Sequence, residues 1–185
     1  MDDIKFKDIL EADENLKEKI RQWRNKEDIR KFMINQEIIS EDEHKKWLEK
    51  LKEDDRIKFW IVYFKELPIG IVNLQNIDYK NLTSEWGFYI GEESYRGIGL
   101  SKKILYKLLQ IFFDEMKFNT LYTKVLSCNG IAINLYRKFK FREKGETIEE
   151  NKPMKVMTFT QEDWSRWKEV LKNECLSSNK QQENR

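Results

Sequence analysis

A cluster of glycines near the middle of the chain has the properties needed to hold a phosphate group. Four of the seven glycines (Gly87, Gly91, Gly97 and Gly99) lie within 13 residues, where a predicted strand ends and a helix begins. A helix start offers unpaired N–H groups and the positive end of the helix dipole, and glycine lets a phosphate approach the backbone closely. The segment 96–102 (RGIGLSK) is therefore a candidate pyrophosphate site. An ordinary connection that needs positive φ explains the glycines equally well.

Two common phosphate loops do not fit this segment. The dinucleotide-binding fingerprint requires glycine at its third position, where the chain has Lys102. The P-loop requires a second glycine five residues after the first, and from Gly97 that position is again Lys102. The segment is therefore neither a dinucleotide fingerprint nor a P-loop.

A second polar motif begins directly after the next predicted strand. Asn129 stands at the mouth of a predicted helix, and Ala132 and Tyr136 follow at helical spacing. On spacing alone, Tyr136 is most simply a half-buried aromatic on an amphipathic helix. The two motifs lie about thirty residues apart, with a helix and a strand between them.

Together the two motifs resemble those of the GCN5-related N-acetyltransferases. In that family the acetyl-CoA loop reads Gln/Arg-x-x-Gly-x-Gly/Ala and a later helix reads Asn-x-x-Ala-x-x-x-Tyr. The segment 96–101 matches the first motif except that Ser101 replaces the last Gly or Ala. Asn129, Ala132 and Tyr136 match the second completely. The resemblance covers roughly residues 57–145.

The resemblance implies an α/β fold of the GNAT type. Its central sheet is mixed and mostly antiparallel, with one parallel splayed strand pair, and helices flank it. A single acetyltransferase domain is expected over residues 1–173, followed by a flexible polar tail over 174–185. The implied co-substrate is acetyl-CoA, and no metal is expected.

The resemblance also implies roles for individual residues. The main chain of Tyr89 and Ile90 would hold the pantetheine and acetyl groups, and Asn129 and Lys138 would hold the far parts of coenzyme A. The pyrophosphate would be bound by segment 96–102 (Arg96, Gly97, Ile98, Gly99, Leu100, Ser101 and Lys102). Tyr136 occupies the general-acid position, and a phenol with a pKa near 10 can protonate a leaving thiolate at neutral pH. Asn73, through an ordered water, and Glu85 are candidates for accepting the amine proton, and the base stays unassigned.

The N-terminal region resembles one branch of the family. This branch acetylates the 4-amino group of a UDP-linked 4-amino-4,6-dideoxy sugar in pseudaminic acid biosynthesis. Matching positions in the branch, here Arg24, Met33 and His44, line the nucleotide-sugar pocket. Asn73 and Gln75 are the expected sugar-side positions, and both differ from those of other members. On spacing alone, His44 is a packed residue and Arg24 a solvated surface charge.

Two alternatives remain open at this stage. The first keeps the reaction and changes the acceptor to a protein N-terminus, as in ribosomal-protein acetyltransferases of related sequence. The second is a coenzyme A-binding module without turnover, a reading that rests on Ser101 and on Lys140, where the family often has Gly. Intact Asn129 and Tyr136 argue against this second alternative.

Composition limits the classes of partner. The chain has 185 residues, and 35 Lys and Arg against 33 Asp and Glu leave a net charge of +2. This near balance of charge argues against nucleic acid and membrane as partners. The resemblance implies a small-molecule UDP-amino sugar as partner, and a homodimer is compatible with the sequence. One His and two Cys exclude zinc clusters and disulfide scaffolds. Cys128 is expected to be a buried thiol, and a charged N-terminus without an apolar run predicts a cytoplasmic protein.

The elements that position these motifs follow from the hydrophobic periodicity. An edge strand is predicted over 3–10, a charged helix through Trp23, and a helix over 40–54 that begins with a Ser40/Glu43 capping box. Three antiparallel strands are predicted at 57–64, 68–77 and 84–91. The remaining predictions are a helix over 100–117, a strand over 120–127, a helix over 129–140, two late strands and a final helix.

Overall fold

The computed structural model describes the backbone of residues 3–180 and the side chains of residues 3–177. Six helices and seven strands account for most of them. The helices are α1 (Glu14–Asn25), α2 (Glu27–Arg30), α3 (Glu41–Glu53), α4 (Leu100–Gln110), α5 (Gly130–Lys138) and α6 (Gln161–Lys180). The strands are β1 (Ile4–Asp8), β2 (Lys58–Phe64), β3 (Leu67–Asp78), β4 (Thr83–Ile90), β5 (Thr120–Leu126), β6 (Arg142–Glu149) and β7 (Lys152–Thr160).

All seven strands form one mixed sheet in the order β1-β2-β3-β4-β5-β7-β6. Every neighbouring pair is antiparallel except β4 and β5, which run parallel. The predicted fold class is therefore confirmed, as are the antiparallel arrangement of β2, β3 and β4 and the edge position of β1. The crossover from β4 to β5 passes through α4, as a parallel connection requires.

The two faces of the sheet bury separate hydrophobic clusters because strand side chains alternate between faces. On one face, Val72, Leu74 and Trp86 pack with α4, α5 and α6. On the other face, Ile61 and Ile71 pack with α1, α2 and α3. The sheet therefore separates a compartment below α4 and α5 from a compartment below the N-terminal helices.

Local sequence explains where the helices start. Asp13 caps α1 by accepting a hydrogen bond from the Leu16 amide at 2.8 Å. The predicted capping box of α3 is present, since the Ser40 hydroxyl accepts from the Glu43 amide and the Glu43 carboxylate accepts from the Ser40 amide. The helix predicted over 100–117 keeps α-helical geometry only through Gln110, and a π-helical turn continues it over Ile111–Glu115.

Two expectations about the cysteines and the C-terminus differ from the structure. Cys128 is exposed rather than buried, because it lies in the turn between β5 and α5. The sequence predicts a flexible polar tail from residue 174, whereas α6 continues to Lys180 and Cys175 is fully buried in the core cluster below α4. Burial of this side chain in the core favours a helix that extends past residue 174. Residues 181–185 lie outside the described part of the chain.

Candidate active site

The parallel strands β4 and β5 separate soon after they pair. Only Thr83, Ser84 and Glu85 of β4 are paired with β5, opposite residues 120–122, although both strands continue for several residues. A cavity of about 1120 Å³ occupies this region and is lined by residues from both faces of the sheet. The splayed pair therefore opens a passage through the sheet that connects the α4/α5 side with the α1/α3 side.

Besides the candidate base Glu85, twelve of the other 17 site residues predicted from the sequence line this one cavity. They are Arg24, Met33, His44, Asn73, Gln75, Tyr89, Ile90, Arg96, Gly97, Ser101, Asn129 and Tyr136. The other five, which do not line it, are Ile98, Gly99, Leu100, Lys102 and Lys138. Residues that are far apart in the sequence thus meet at the same opening.

The glycine-rich loop forms the start of α4 at the mouth of the cavity. Gly97 and Gly99 have φ of +74° and +84°, a region that disfavours residues with a Cβ. Gly99 is the N-cap residue and no side chain caps the helix. The first amides of a helix have no carbonyl four residues before them within the helix, so a helix terminus can receive an anion. Here the Lys102 amide donates to the Gly99 carbonyl at 3.2 Å. The Leu100 side chain lies in the core, so only its main chain can contribute.

Arg96 fixes the loop in place. Its guanidinium donates to the Ile90 carbonyl at 2.8 Å and to the Gly91 carbonyl at 3.3 Å, and it forms an ion pair with Asp28 of α2. The guanidinium therefore ties the start of α4 to the end of β4 and to the N-terminal helices.

The backbone of β4 presents amides to the opening. The Gly91 amide donates to the Ile69 carbonyl on the β3 side. Successive amides of a strand point to opposite sides, so the amides of Ile90 and Phe88 face the opening and that of Tyr89 faces β3. Of the two predicted pantetheine-binding residues, Ile90 therefore offers its amide, whereas Tyr89 contributes its side chain to the α1/α3 side of the cavity.

Tyr136 lies at the α4/α5 side of the opening. Its ring packs edge-on against Trp86, with centroids 5.1 Å apart, and against Phe141 at 5.8 Å. Burial raises the pKa of the phenol well above its ordinary value, with the Thr123 side chain as its hydrogen-bonding neighbour. The hydroxyl therefore keeps its proton throughout the physiological pH range, which is the state that a general acid requires.

Asn129 serves the structure of α5, and Lys138 lies away from the site. The Asn129 side-chain oxygen accepts from the Ala132 amide at 3.2 Å and so caps the helix. The residue lines the cavity at the same time. Lys138, at the other end of α5, is exposed and does not line it, so the structure gives no support to the predicted contact with the cofactor.

Polar side chains from β3 and β4 form the α1/α3 side of the opening. The side-chain oxygen of Asn73 is buried and has no hydrogen-bond partner in the described part of the chain. Gly87 stands opposite it, and a Cβ there would lie 3.2 Å from that oxygen. Gln75 and Glu85, the next pair along the two strands, also line the cavity. Glu85 is held by Lys124 at 3.6 Å and by Asn76 at 3.0 Å.

Two half-buried arginines of the N-terminal helices have no carboxylate partner among residues 3–177. One Arg24 guanidinium nitrogen (Nη1) and the Arg30 Nε are buried and unpaired in the described part of the chain. Another nitrogen of each guanidinium donates to a backbone carbonyl, Arg24 to that of Asn35 and Arg30 to that of Gln36. Burial lowers the pKa of Arg24, and the charge of Arg30 lowers it further. Of the two, Arg24 lines the cavity, and an unneutralised guanidinium at a cavity is the electrostatic signature of an anion site.

The segment 31–40 covers the cavity from the N-terminal side. Met33 lines the cavity, and Lys152 of β7 donates to the neighbouring Ile34 carbonyl at 2.8 Å. Asn25 makes two 2.8 Å hydrogen bonds with the backbone of Ile39. These contacts hold the segment against both the helices and the far end of the sheet.

His44 packs and lines the cavity at once. Its ring stacks on Trp47 with centroids 5.5 Å apart, as the packing interpretation predicted. Burial, followed by the charge of Arg21, lowers the pKa of His44. The side chain is therefore a neutral imidazole at neutral pH, able to donate or accept one hydrogen bond in the cavity.

Sequence reasoning missed Trp86 and Thr123, which lie where β4 and β5 part. Both are buried and both line the cavity. A signal was available in β4, where alternation places Trp86 on the same face as the core. Nothing in the sequence showed that β5 leaves β4 directly after Glu85.

The described residues contain neither a candidate metal site nor a membrane-spanning helix. Within residues 3–177, no group of three or more His, Cys, Asp or Glu side chains is arranged to hold a metal ion. None of the helices within residues 3–180 is long and apolar enough to span a bilayer.

Comparison with known proteins agrees with this geometry. Residues 9–142 match the model of the acetyltransferase (GNAT) domain. Over 138 residues the chain is 32% identical to acetyltransferase PseH of Campylobacter jejuni subsp. jejuni serotype O:23/36, covering 75% of this chain and 84% of the relative.

Two solved structures have the same fold. The C. jejuni PseH complex with acetyl coenzyme A superposes with a TM-score of 0.67 at 26% identity, covering 85% of this chain and 99% of the other. The spermidine N-acetyltransferase of Vibrio cholerae, solved with CoA and spermine, gives a TM-score of 0.79 at 20% identity, with 89% and 99% coverage. The family match, the splayed strands and the placement of Tyr136 lead to one conclusion: this chain is an acetyltransferase of the GNAT family.

Proposed function

We propose that the protein transfers the acetyl group of acetyl-CoA to the 4-amino group of a UDP-linked 4-amino-4,6-dideoxy sugar, the acetylation step of pseudaminic acid biosynthesis. The observation that carries this proposal is the guanidinium of Arg24, which lines the cavity, has a buried Nη1 without a hydrogen-bond partner and pairs with no carboxylate in the described part of the chain. A buried charge without a partner is costly, so its presence calls for an anionic ligand. The diphosphate of a nucleotide sugar supplies that charge.

Acetyl-CoA, the acetyl donor, enters the cavity from the α4/α5 side. The start of α4, at Gly97 and Ser101, receives the diphosphate of coenzyme A. The pantetheine then lies along β4, where the amides of Ile90 and Phe88 face the opening. These backbone donors can hydrogen-bond the thioester carbonyl and stabilise the oxyanion that forms during attack. Tyr136 lies on the same side, where the sulfur must leave.

The acceptor enters from the α1/α3 side. Asn73 offers a buried oxygen without a partner, which can accept a hydrogen bond from the attacking amine. The amine nitrogen attacks the thioester carbon and forms a C–N bond, and collapse of the tetrahedral intermediate breaks the C–S bond. The thiolate takes the Tyr136 proton, and the amine loses its own proton to water held by Asn73. Tyr136 then regains a proton from solvent.

The charge of the cavity favours an anionic acceptor over a polyamine. Five basic side chains line it against three acidic ones. Arg96 and Lys124 are paired with the acids Asp28 and Glu85, whereas Arg24 is left without one. A polycationic acceptor would approach an unneutralised guanidinium, an unfavourable contact at short range. The likeness to spermidine N-acetyltransferase is one of fold at 20% identity.

The test is release of free coenzyme A thiol from acetyl-CoA with three acceptor classes. The panel contains UDP-linked 4-amino-4,6-dideoxy sugars, N-terminal peptides of ribosomal proteins, and spermidine. We expect release with the nucleotide sugar and acetylation of its 4-amino group by mass spectrometry. Release with peptide or spermidine alone would refute the acceptor assignment. Binding of acetyl-CoA without release on any amine would favour a binding module.

A matched pair of variants adds a second test. Arg24→Gln removes the unpaired guanidinium, whereas Arg166→Gln removes an exposed one on α6 that pairs only with Glu162. We expect the first variant to raise the KM for the nucleotide sugar and to leave the KM for acetyl-CoA unchanged. The second variant should change neither.

A further inference from the structure

Trp86 occupies the closed end of the opening between β4 and β5. Glu85 is the last residue of β4 that pairs with β5, so Trp86 is the first residue beyond the junction. Its indole is 2% exposed and lines the cavity. It stacks on Phe88 at 5.7 Å and packs against Tyr136 at 5.1 Å and Phe141 at 5.8 Å. These rings form an aromatic wall where the two strands meet.

The indole N–H of Trp86 is a hydrogen-bond donor without a partner. Its Nε1 atom is buried and makes no hydrogen bond within the described part of the chain. Buried indole nitrogens normally find an acceptor, because leaving the donor unpaired costs stability. An unpaired donor in a residue that lines a binding cavity therefore points to an acceptor atom on the ligand.

The orientation of the bound acyl-CoA brings its acyl end toward this aromatic wall. If the diphosphate lies at the start of α4, the extended arm must run from Ile90 back along β4. Ile90 and Trp86 are four residue steps apart along the strand, or about 13 Å at the usual rise. The acyl group is the far end of the donor, so it points to the junction of the strands. Tyr136 contacts the Trp86 ring from the same side.

We propose that Trp86 determines which acyl group the enzyme transfers. The indole closes the acyl compartment behind a two-carbon group, and its N–H donates to the carbonyl oxygen of that group. Longer acyl chains would have to displace a fully packed ring. This inference rests on the proposed use of an acyl-CoA donor and adds its chain length as the property selected.

The test compares acetyl-, propionyl- and butyryl-CoA as donors at a fixed, saturating acceptor amine. For the wild type, we expect kcat/KM to fall at least about tenfold from acetyl to propionyl, and again to butyryl. Trp86→Leu shortens the side chain and should shift the propionyl-to-acetyl ratio at least about tenfold toward propionyl. An unchanged ratio in a folded Trp86→Leu variant would overturn the proposal.

Trp86→Phe keeps an aromatic ring and removes the N–H. We expect it to lower kcat/KM for acetyl-CoA about fivefold to twentyfold, with a smaller change in the propionyl-to-acetyl ratio than Trp86→Leu produces. If Trp86→Leu does not fold, the three donors with the wild type and the Trp86→Phe variant still test whether Trp86 selects the acyl group. Equal use of all three donors by the wild type would overturn the proposal.

The N–H contact has its own readout in the indole region of a ¹H–¹⁵N spectrum. The chain has six tryptophans, and the Trp86 signal is the one missing in Trp86→Phe. Acetyl-CoA should shift that signal, whereas coenzyme A without an acyl group should shift it less. Equal shifts would overturn the carbonyl contact. A chain that binds and uses no acyl-CoA would instead refute the proposed function, so the two failures are distinguishable.

Discussion

Replacing Tyr136 with phenylalanine removes one oxygen atom from the proposed general-acid position. The ring keeps its contacts with Trp86 and Phe141, at 5.1 Å and 5.8 Å, so the packing around α5 is retained. Loss of one buried hydroxyl costs about 1 kcal/mol, which lowers the melting temperature by about 2–4 °C in a protein of this size. The variant should therefore be folded in any assay near 25 °C.

The catalytic effect should be much larger than the effect on stability. A positioned general acid contributes about 10²- to 10⁴-fold to a rate. Water can still protonate the leaving thiolate, so we expect the lower end, a drop of about 100-fold in kcat. The KM for acetyl-CoA should stay within about threefold, since the phenol is required for departure of the sulfur rather than for binding. Burial raises the pKa of Tyr136, so its ionisation should cause no fall in kcat up to about pH 10.

The assay is steady-state release of coenzyme A thiol at saturating acetyl-CoA and acceptor. Tyr106→Phe is the matched control, because Tyr106 is also buried, at 4% exposure, and burial raises its pKa to about 12. Its ring packs on Trp164 below α6, away from the opening. Tyr106→Phe should leave kcat within about twofold of the wild type. A Tyr136→Phe enzyme with unchanged kcat would refute the general-acid role.

Three further changes test the loop, the histidine and the anion site. Gly97→Ala should lower the free energy of unfolding by about 1 kcal/mol, because Gly97 has a positive φ. Gly130→Ala is the control, since Gly130 has equal space for a Cβ but no positive φ, and thermal melts should show its free energy of unfolding kept or raised. Equal effects would mean that φ is not the cause. Burial lowers the pKa of His44 in the folded protein. As the pH falls, the imidazole therefore binds a proton in the unfolded chain before it does so in the folded protein, and the free energy of unfolding should decline below about pH 6.5. Urea titrations at about pH 7.5 and about 5.5 should show a smaller decline in His44→Gln, and an equal decline would contradict the assignment. Arg24→Gln should raise the KM for the UDP sugar about 10- to 100-fold in the thiol assay, and an unchanged KM would remove its role as an anion ligand.

Most of the fold could be predicted because each element has a local signature. The Ser40/Glu43 capping box defines the start of α3, and period-2 alternation defines β2, β3 and β4. The end of α6 was harder to predict because it depends on tertiary burial. Cys175 lies in a polar stretch of sequence, yet it packs into the core below α4. Local composition alone does not reveal that contact.

The site could be predicted only as far as its motifs extend. The positive φ at Gly97 and Gly99 and the place of Tyr136 at the opening follow the pattern of the two segments. The alternation of amides along β4, which turns Ile90 rather than Tyr89 toward the opening, requires the strand register. Within the described part of the chain no carboxylate pairs with Arg24, which could not be foreseen in a sequence so rich in Asp and Glu. Pairing of charges depends on three-dimensional distances.

The central claim is that the opening between β4 and β5 is where acetyl transfer takes place. A crystal structure of the protein with acetyl-CoA tests it most directly. We expect the diphosphate at the start of α4, the pantetheine between the two strands, and the sulfur within about 3.5 Å of the Tyr136 hydroxyl. Acetyl-CoA bound elsewhere at saturating concentration, with this opening empty, would contradict the account.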